Sequence, residues 1–131
     1  MKEYVLDTHA FAWWARNPKR LGRRARRALS AVDVGKARAW IPAIVGIELS
    51  LLHEAGRKLI TVIDLEAATR RNSDVRILPL DLAQASEFAL LTSLDDPFDR
   101  MIVAAARATE RPLISADTRI ENSDLVETIW D

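Results

Sequence analysis

The chain has 131 residues, with 19 basic and 19 acidic side chains, two histidines and no cysteine. This length suits a single domain over residues 1–131, and 49% apolar with 29% charged residues is typical of globular proteins. Without cysteine, a disulfide framework, a thiol nucleophile and a cysteine-type zinc site are excluded. The sequence contains no signal-peptide pattern and no run of about 18 apolar residues. We therefore expect a cytoplasmic protein with no membrane span.

The charge is balanced only over the chain as a whole. Up to Ile60 there are twelve basic and five acidic residues, whereas the remainder has seven basic and fourteen acidic ones. The densest basic stretch contains no acid and comprises Arg16, Lys19, Arg20, Arg23, Arg24, Arg26 and Arg27. It is either a solvated helix face or a surface that contacts the phosphates of a nucleic acid.

Strand and helix patterns alternate along the chain. Asp7 ends an apolar run and can cap a helix, Gly56 is a natural helix end, and Asp96-Pro97 is typical of a helix start. In order, we predict a strand at 4–6, helices at 9–15 and 23–31, a strand at 39–41, helices at 44–55 and 60–71, a strand at 75–78, helices at 82–91 and 97–109, and strands at 113–115 and 126–130. The alternation favours an α/β fold in three layers, with a mainly parallel central sheet of about five strands covered on both faces. Ligands of such folds bind at the carboxyl ends of the strands.

Four acidic residues occur in unusual positions. Asp7 and Asp117 each directly follow a predicted strand, where helix capping and turn formation are the plain structural explanations. Glu48 has apolar neighbours three and four positions away on its helix, so it either forms a buried salt bridge or faces a site. Asp99 lies in the first turn of the helix opened by Asp96, where the helix dipole favours an acid.

In a parallel sheet these four acids would meet at one edge. Carboxylates that converge repel one another, and such a cluster must be partly protonated or hold a cation. Ligand sets made only of oxygen favour Mg²⁺ or Mn²⁺ over zinc. The two histidines, His9 and His53, form no HExxH zinc motif.

Three segments together resemble a known family. They are Val5–Trp14 (VLDTHAFAWW), Asp96–Ala106 (DPFDRMIVAAA) and Leu113–Thr118 (LISADT), and Glu48 stands where the family has a helical glutamate. In their order and spacing they resemble the PIN-domain ribonucleases, and within that family the VapC-like toxins of prokaryotic toxin–antitoxin pairs. The chain departs from relatives at Leu94 and Asp95, where His and Arg are common, and at Ile47, where Trp is common.

The resemblance implies a site and an activity. The metal-binding, catalytic acids would be Asp7, Glu48, Asp99 and Asp117, and the residues supporting them would be Thr8, Asp96, Ser115 and Arg100, the last of which would pair with an acid or a phosphate. The implied activity is a Mg²⁺-dependent endoribonuclease, with Mn²⁺ as the alternative ion, that inhibits translation by cutting RNA. The implied partners are an RNA substrate, a cognate antitoxin protein and a second copy in a homodimer. In this view the basic stretch from Arg16 to Arg27 contacts the RNA backbone.

Several alternatives are weighed on particular residues. A haloacid-dehalogenase-type phosphatase needs a second Asp where His9 stands, and a receiver-like domain needs a late Lys, yet none follows Lys58. A non-catalytic module that binds RNA or a partner around a structural metal remains open. Trp13 and Trp14 either stack on bases or, as we favour, pack in the core or a dimer interface. The role of residues 60–71 is left open.

Overall fold

A five-stranded, wholly parallel sheet organises the computed structural model, which describes residues 1–131. Its strands lie in the order β3-β2-β1-β4-β5, and each neighbouring pair is parallel. The strands are β1 (Lys2–Leu6), β2 (Ala37–Pro42), β3 (Val75–Leu78), β4 (Leu113–Ile114) and β5 (Thr128–Ile129). The predicted α/β fold with a five-stranded parallel sheet is confirmed.

Seven α-helices connect and cover the strands. They are α1 (Thr8–Arg16), α2 (Arg23–Asp33), α3 (Ile44–Glu54), α4 (Val62–Arg71), α5 (Leu82–Leu90), α6 (Pro97–Ala108) and α7 (Thr118–Ser123). Consecutive residues of a strand point to opposite faces of the sheet, and Tyr4, Val5 and Leu6 of β1 are all buried. Helices therefore cover both faces, as a three-layer sandwich requires. None of the helices is both long and apolar enough to cross a bilayer.

The strand order creates a crevice next to β1. From β1 the chain moves outward through β2 to β3, and then returns to the other side of β1 to form β4. The connections after β1 and β4 consequently diverge where these adjacent strands end, and such switch points are where open α/β sheets bind ligands. Asp7 follows β1 at this edge, and Asp117 follows β4.

The structure differs from the predicted elements mainly in short pieces. Helix α7 and a 3-10 turn at Pro18–Arg20 were not predicted, because six and three residues are too few to show a helical period. The last strand is only Thr128–Ile129. Helix α4 begins at Val62 rather than at position 60, since Thr61 and Asp64 form a capping box that fixes its start.

A close backbone contact ties the end of the sheet to α2. The Ala25 amide donates a hydrogen bond to the Trp130 carbonyl at 2.9 Å. A Cβ atom on Gly22 would lie 2.4 Å from that same carbonyl oxygen. The φ angle of Gly22 is −64°, which any residue adopts, so it is space rather than conformation that requires glycine here.

We predict that Gly22→Ala lowers the free energy of unfolding by about 1–3 kcal/mol, because the added methyl group must push Trp130 away from α2. Urea denaturation followed by tryptophan fluorescence would measure the change. Arg23→Ala, at an exposed position one residue further, is the matched control and should leave stability nearly unchanged. Equal stability of the two variants would contradict the close-contact explanation.

Candidate active site

The four acids that the sequence singles out line one cleft at the switch point. Asp7, Glu48, Asp99 and Asp117 come from four separate segments, and the cleft has a volume of about 390 Å³. Two of the predicted supporting residues, Thr8 and Asp96, also line it. An adjoining cleft of about 510 Å³ shares Asp96 and Asp99 with it. The structure thus gathers these side chains at the place where the fold is open.

Asp7 is held by the start of the helix that follows it. Its carboxylate caps α1 by accepting a hydrogen bond from the Ala10 amide at 2.8 Å. Burial raises the pKa of Asp7, while hydrogen bonds from Ser115 and Ala10 act in the opposite direction without cancelling the effect. Ser115 is itself buried and accepts a hydrogen bond from the Asp117 amide at 3.1 Å. Ser115 therefore links the ends of β1 and β4.

Glu48 faces the cleft rather than a salt-bridge partner. Its Oε1 accepts a hydrogen bond from the hydroxyl of Thr8, which is only 2% exposed. No Lys or Arg pairs with Glu48 within 4 Å. Its helical neighbour Ile44 is buried, but Leu51 is 48% exposed, so Glu48 lies at the border between core and surface. The buried salt bridge considered for Glu48 is absent.

Asp99 is a second carboxylate of the cleft whose pKa is raised. Asp96 caps α6 by accepting hydrogen bonds from the Phe98 and Asp99 amides at 2.8 and 3.0 Å, which fixes the first turn that bears Asp99. Burial raises the pKa of Asp99 to about 7, and repulsion by Asp96, Asp117 and Glu48 adds to the effect. The cleft thus carries more negative charge than its surroundings compensate.

Arg119 is a site residue that the sequence analysis missed. Its Nη2 lies 3.1 Å from Oδ2 of Asp117 and 3.5 Å from Oδ2 of Asp99. Burial alone would raise the pKa of Asp117, but hydrogen bonds from the side chain and backbone of Arg119 outweigh it and lower that pKa. The available signal was an Asp-Thr-Arg sequence at a helix start, which places a base two residues after the capping acid.

The donor set of the cleft fits a divalent cation, although its present conformation does not form a complete ligand cluster. The candidate ligands are carboxylates, which hard cations such as Mg²⁺ prefer. The pKa values of Asp7 and Asp99 are raised first by burial and further by repulsion from neighbouring acids, and a bound cation would relieve both effects. No three acidic side chains converge on one point. Instead, the Arg119 guanidinium takes the position of a positive charge between Asp99 and Asp117.

Arg100 lies outside this cleft. Its Nε donates a hydrogen bond to the Phe88 carbonyl at 2.9 Å, and its guanidinium carbon lies 4.0 Å from the centre of the Phe88 ring. Arg100 forms no salt bridge with an acid, and its pairing with a phosphate stays a prediction. Arg100 instead joins α6 to α5.

The basic stretch is divided into parts with different contacts. Arg16 forms a salt bridge with Asp64 of α4 at 3.0 Å. Arg26 donates to the carbonyls of residues 18, 19 and 21, so it ties down the 3-10 turn. Lys19 and Arg23 are exposed. These four residues give no continuous surface along the acidic cleft.

The remaining basic residues of the stretch point in two directions. Arg24 and Arg27 border a separate groove together with Lys2. Arg20 alone among the seven stacks on a residue of the acidic cleft, with its guanidinium carbon 4.4 Å from the centre of the Trp13 ring. The seven basic side chains therefore do not form one surface along the acidic cleft, and their contact with an RNA backbone stays a prediction.

Comparison with known families decides the classification. The family model described as PIN domain matches residues 4–124. This chain belongs to the PIN domain family. Within it, the chain is 28% identical over 124 residues to Ribonuclease VapC22 of Mycobacterium tuberculosis. The aligned region covers 93% of this chain and 92% of that protein.

Solved structures share the PIN domain fold of this chain. A chain of VapBC2 from Rickettsia felis, bound to a DNA fragment from its promoter, superposes with a TM-score of 0.71 at 14% identity, over 98% of this chain and 99% of that one. A chain of DNA-bound VapBC from Salmonella typhimurium gives a TM-score of 0.67 at 19% identity, with coverage of 98% and 97%. At these identities the likeness establishes the fold.

The raised pKa of Asp99 predicts that this residue destabilises the metal-free protein at high pH. Between pH 3.8 and about 7 the folded protein keeps a proton on Asp99 that the unfolded chain releases, so the contribution of Asp99 to stability falls as pH rises through this range. We expect Asp99→Asn to increase the free energy of unfolding at pH 8 by up to about 4 kcal/mol, and to change it little at pH 4. Denaturant titration in a chelator at both pH values tests this.

The matched control is Asp33→Asn, which alters an exposed acid at the end of α2. It should show no such difference between the two pH values. An Asp99→Asn variant that is no more stable than the parent at pH 8 would show that the cleft does not destabilise its own carboxylate.

Proposed function

We propose that this PIN domain protein is a metal-dependent endoribonuclease, the toxin component of a toxin–antitoxin pair that inhibits translation by cutting RNA. The observation that carries the proposal is that Asp7, Glu48, Asp99 and Asp117 line one cleft at the switch point of the sheet. Membership of the PIN domain family and the similarity to a protein named ribonuclease support it.

The four acids supply the oxygen ligands that a divalent ion would need. Mg²⁺ fits this set, and Mn²⁺ accepts the same carboxylate chemistry. An ion bound there would polarise the scissile phosphate and lower the pKa of the attacking water, so no side-chain general base is required. This mechanism suits a cleft that His9 lines as its single histidine.

Residues around the acids set their geometry. The buried hydroxyl of Thr8 orients Glu48, and Ser115 connects Asp7 with the backbone of Asp117. Arg119 has a side chain that is 77% exposed, so it could leave Asp99 and Asp117 if an ion were to neutralise their charge. Its guanidinium would then be available to a phosphate of the RNA.

The same geometry fits a protein partner that inhibits the enzyme. The position of Arg119 demonstrates that a guanidinium fits between Asp99 and Asp117. An antitoxin that inserts a basic side chain at this place would compete with the ion and silence the enzyme. We further propose that the protein works as a homodimer in the cytoplasm, where its RNA substrate and its antitoxin are made.

We predict that purified protein cuts RNA in the presence of Mg²⁺, and that Asp7→Asn and Asp99→Asn each reduce the rate at least about a hundredfold, because each removes a ligand charge. Cleavage of labelled RNA measures the rate, and circular dichroism verifies the fold. Asp33→Asn should cut like the parent protein. RNA binding without cleavage and without sensitivity to a chelator would identify a non-catalytic module instead.

The position of Arg119 predicts competition with the ion. Removing the guanidinium in Arg119→Ala should tighten Mn²⁺ binding by about two- to tenfold, the range expected for losing exposed ion pairs. Isothermal titration calorimetry measures this without any reliance on activity. Arg70→Ala, which removes an exposed arginine paired with Glu66, is the matched control. Weaker Mn²⁺ binding by Arg119→Ala would rule out the competition.

A further inference from the structure

One wall of the acidic cleft is aromatic. His9 and Trp13 are four residues apart, so they share one face of α1, and both are half-buried residues lining the cleft that holds the four acids. Their ring centres are 5.6 Å apart, with an angle of 52° between the ring planes. An RNA strand that brings a phosphate to the acids therefore brings its neighbouring base close to this wall.

Trp13 is held in place from one side and carries a cation on its ring. The Trp130 ring lies 5.7 Å from it at an interplanar angle of 58°, and Trp130 is itself fixed by the backbone contact near Gly22. The Arg20 guanidinium carbon lies 4.4 Å from the centre of the Trp13 ring. Arg20 is exposed and forms no salt bridge. Its charge is available to a phosphate.

The adjacent tryptophan, Trp14, borders a different groove. None of the four site acids lines that groove, and no cation lies over the Trp14 ring; its lining residues are Phe11, Ala15, Asp33, Ala68, Arg71, Asn72 and Val75. Trp13 instead lines the cleft of the four acids together with His9, and Arg20 lies over its ring. Packing against Trp130 needs only a large apolar side chain, whereas the contact with Arg20 uses the π-face of Trp13.

We propose that Trp13, with Arg20 laid against it, is a base-stacking subsite that holds a nucleotide of single-stranded RNA next to the phosphate at the acids. This rests on the proposed function for the location of that phosphate. Every base presents a π-face, so stacking on an aromatic ring gives affinity with little choice of sequence. Arg20 adds a cation that contacts the backbone or covers the stacked base.

Binding of RNA that is not cut tests the subsite directly. In an Asp99→Asn background with Mg²⁺, we expect Trp13→Leu to weaken binding of a fluorescent single-stranded oligoribonucleotide about 5- to 100-fold, the range for losing one stacked base. Leucine keeps an apolar contact with Trp130 but has no π-face. The matched control Trp14→Leu should change affinity less than twofold. Equal effects of the two substitutions would overturn the proposal.

Binding of oligonucleotides with single abasic positions distinguishes base stacking from a purely structural role of Trp13. Replacing single nucleotides of the oligonucleotide by abasic ones should weaken binding most at one position, and Trp13→Leu should abolish this difference. If Trp13→Leu fails to fold, Arg20→Ala decides. Arg20 is exposed, and its loss should weaken binding severalfold with a reduced salt dependence. An Arg20→Ala variant that binds RNA like the parent protein overturns the proposal.

The kinetics separate failure of the subsite from failure of the enzyme proposal. Stacking acts equally on bound substrate and transition state, so in otherwise unchanged protein Trp13→Leu should raise KM and leave kcat within about twofold. If the protein cuts RNA and Trp13→Leu leaves KM unchanged, the subsite is wrong and the nuclease stands. If no RNA is cut but Trp13→Leu still loses affinity, the subsite stands and the nuclease is wrong.

Discussion

The burial of like-charged carboxylates at the open edge of the sheet is the constraint on which the rest of the site depends. Asp7, Glu48, Asp99 and Asp117 share one cleft, where burial raises the pKa values of Asp7 and Asp99 and repulsion by nearby acids adds to the effect. Buried like charges oppose folding by amounts that matter against a total stability of about 5–15 kcal/mol. The apolar core of the sheet and its helices must therefore stabilise the fold against a site that destabilises it, which is common for binding sites.

The helix starts offset part of this repulsion. Asp7, Asp96 and Asp117 cap α1, α6 and α7, so backbone amides and helix dipoles meet the negative charge at three places. The sequence offers two explanations for Asp7, helix capping and metal binding. The observed cap on α1 does not exclude the second role. A single carboxylate has several lone pairs, and an amide occupies only one of them.

The sequence predicts those parts of the protein that leave a periodic pattern of apolar residues. The sheet, the helices of nine or more residues and the gathering of acids behind β1 and β4 follow from apolar patterns and parallel topology. The direction of single long side chains does not follow from them. Arg100 turns to Phe88 because α5 packs against α6, and the basic stretch divides because the turn at Pro18 redirects the chain. Arg119 escaped notice because α7 is too short to show a pattern.

Arg119 gives the protein an internal counterion. In small zinc domains the ion supplies the folding energy, so the chain is unstructured until the metal arrives. Here a guanidinium stands between Asp99 and Asp117, and the apolar core lies among the sheet and its helices rather than around the acids. If the protein is the metal-dependent enzyme proposed above, its fold would therefore form before the ion is bound. A newly made molecule would then be folded but inactive, and a protein inhibitor could bind it before the metal does.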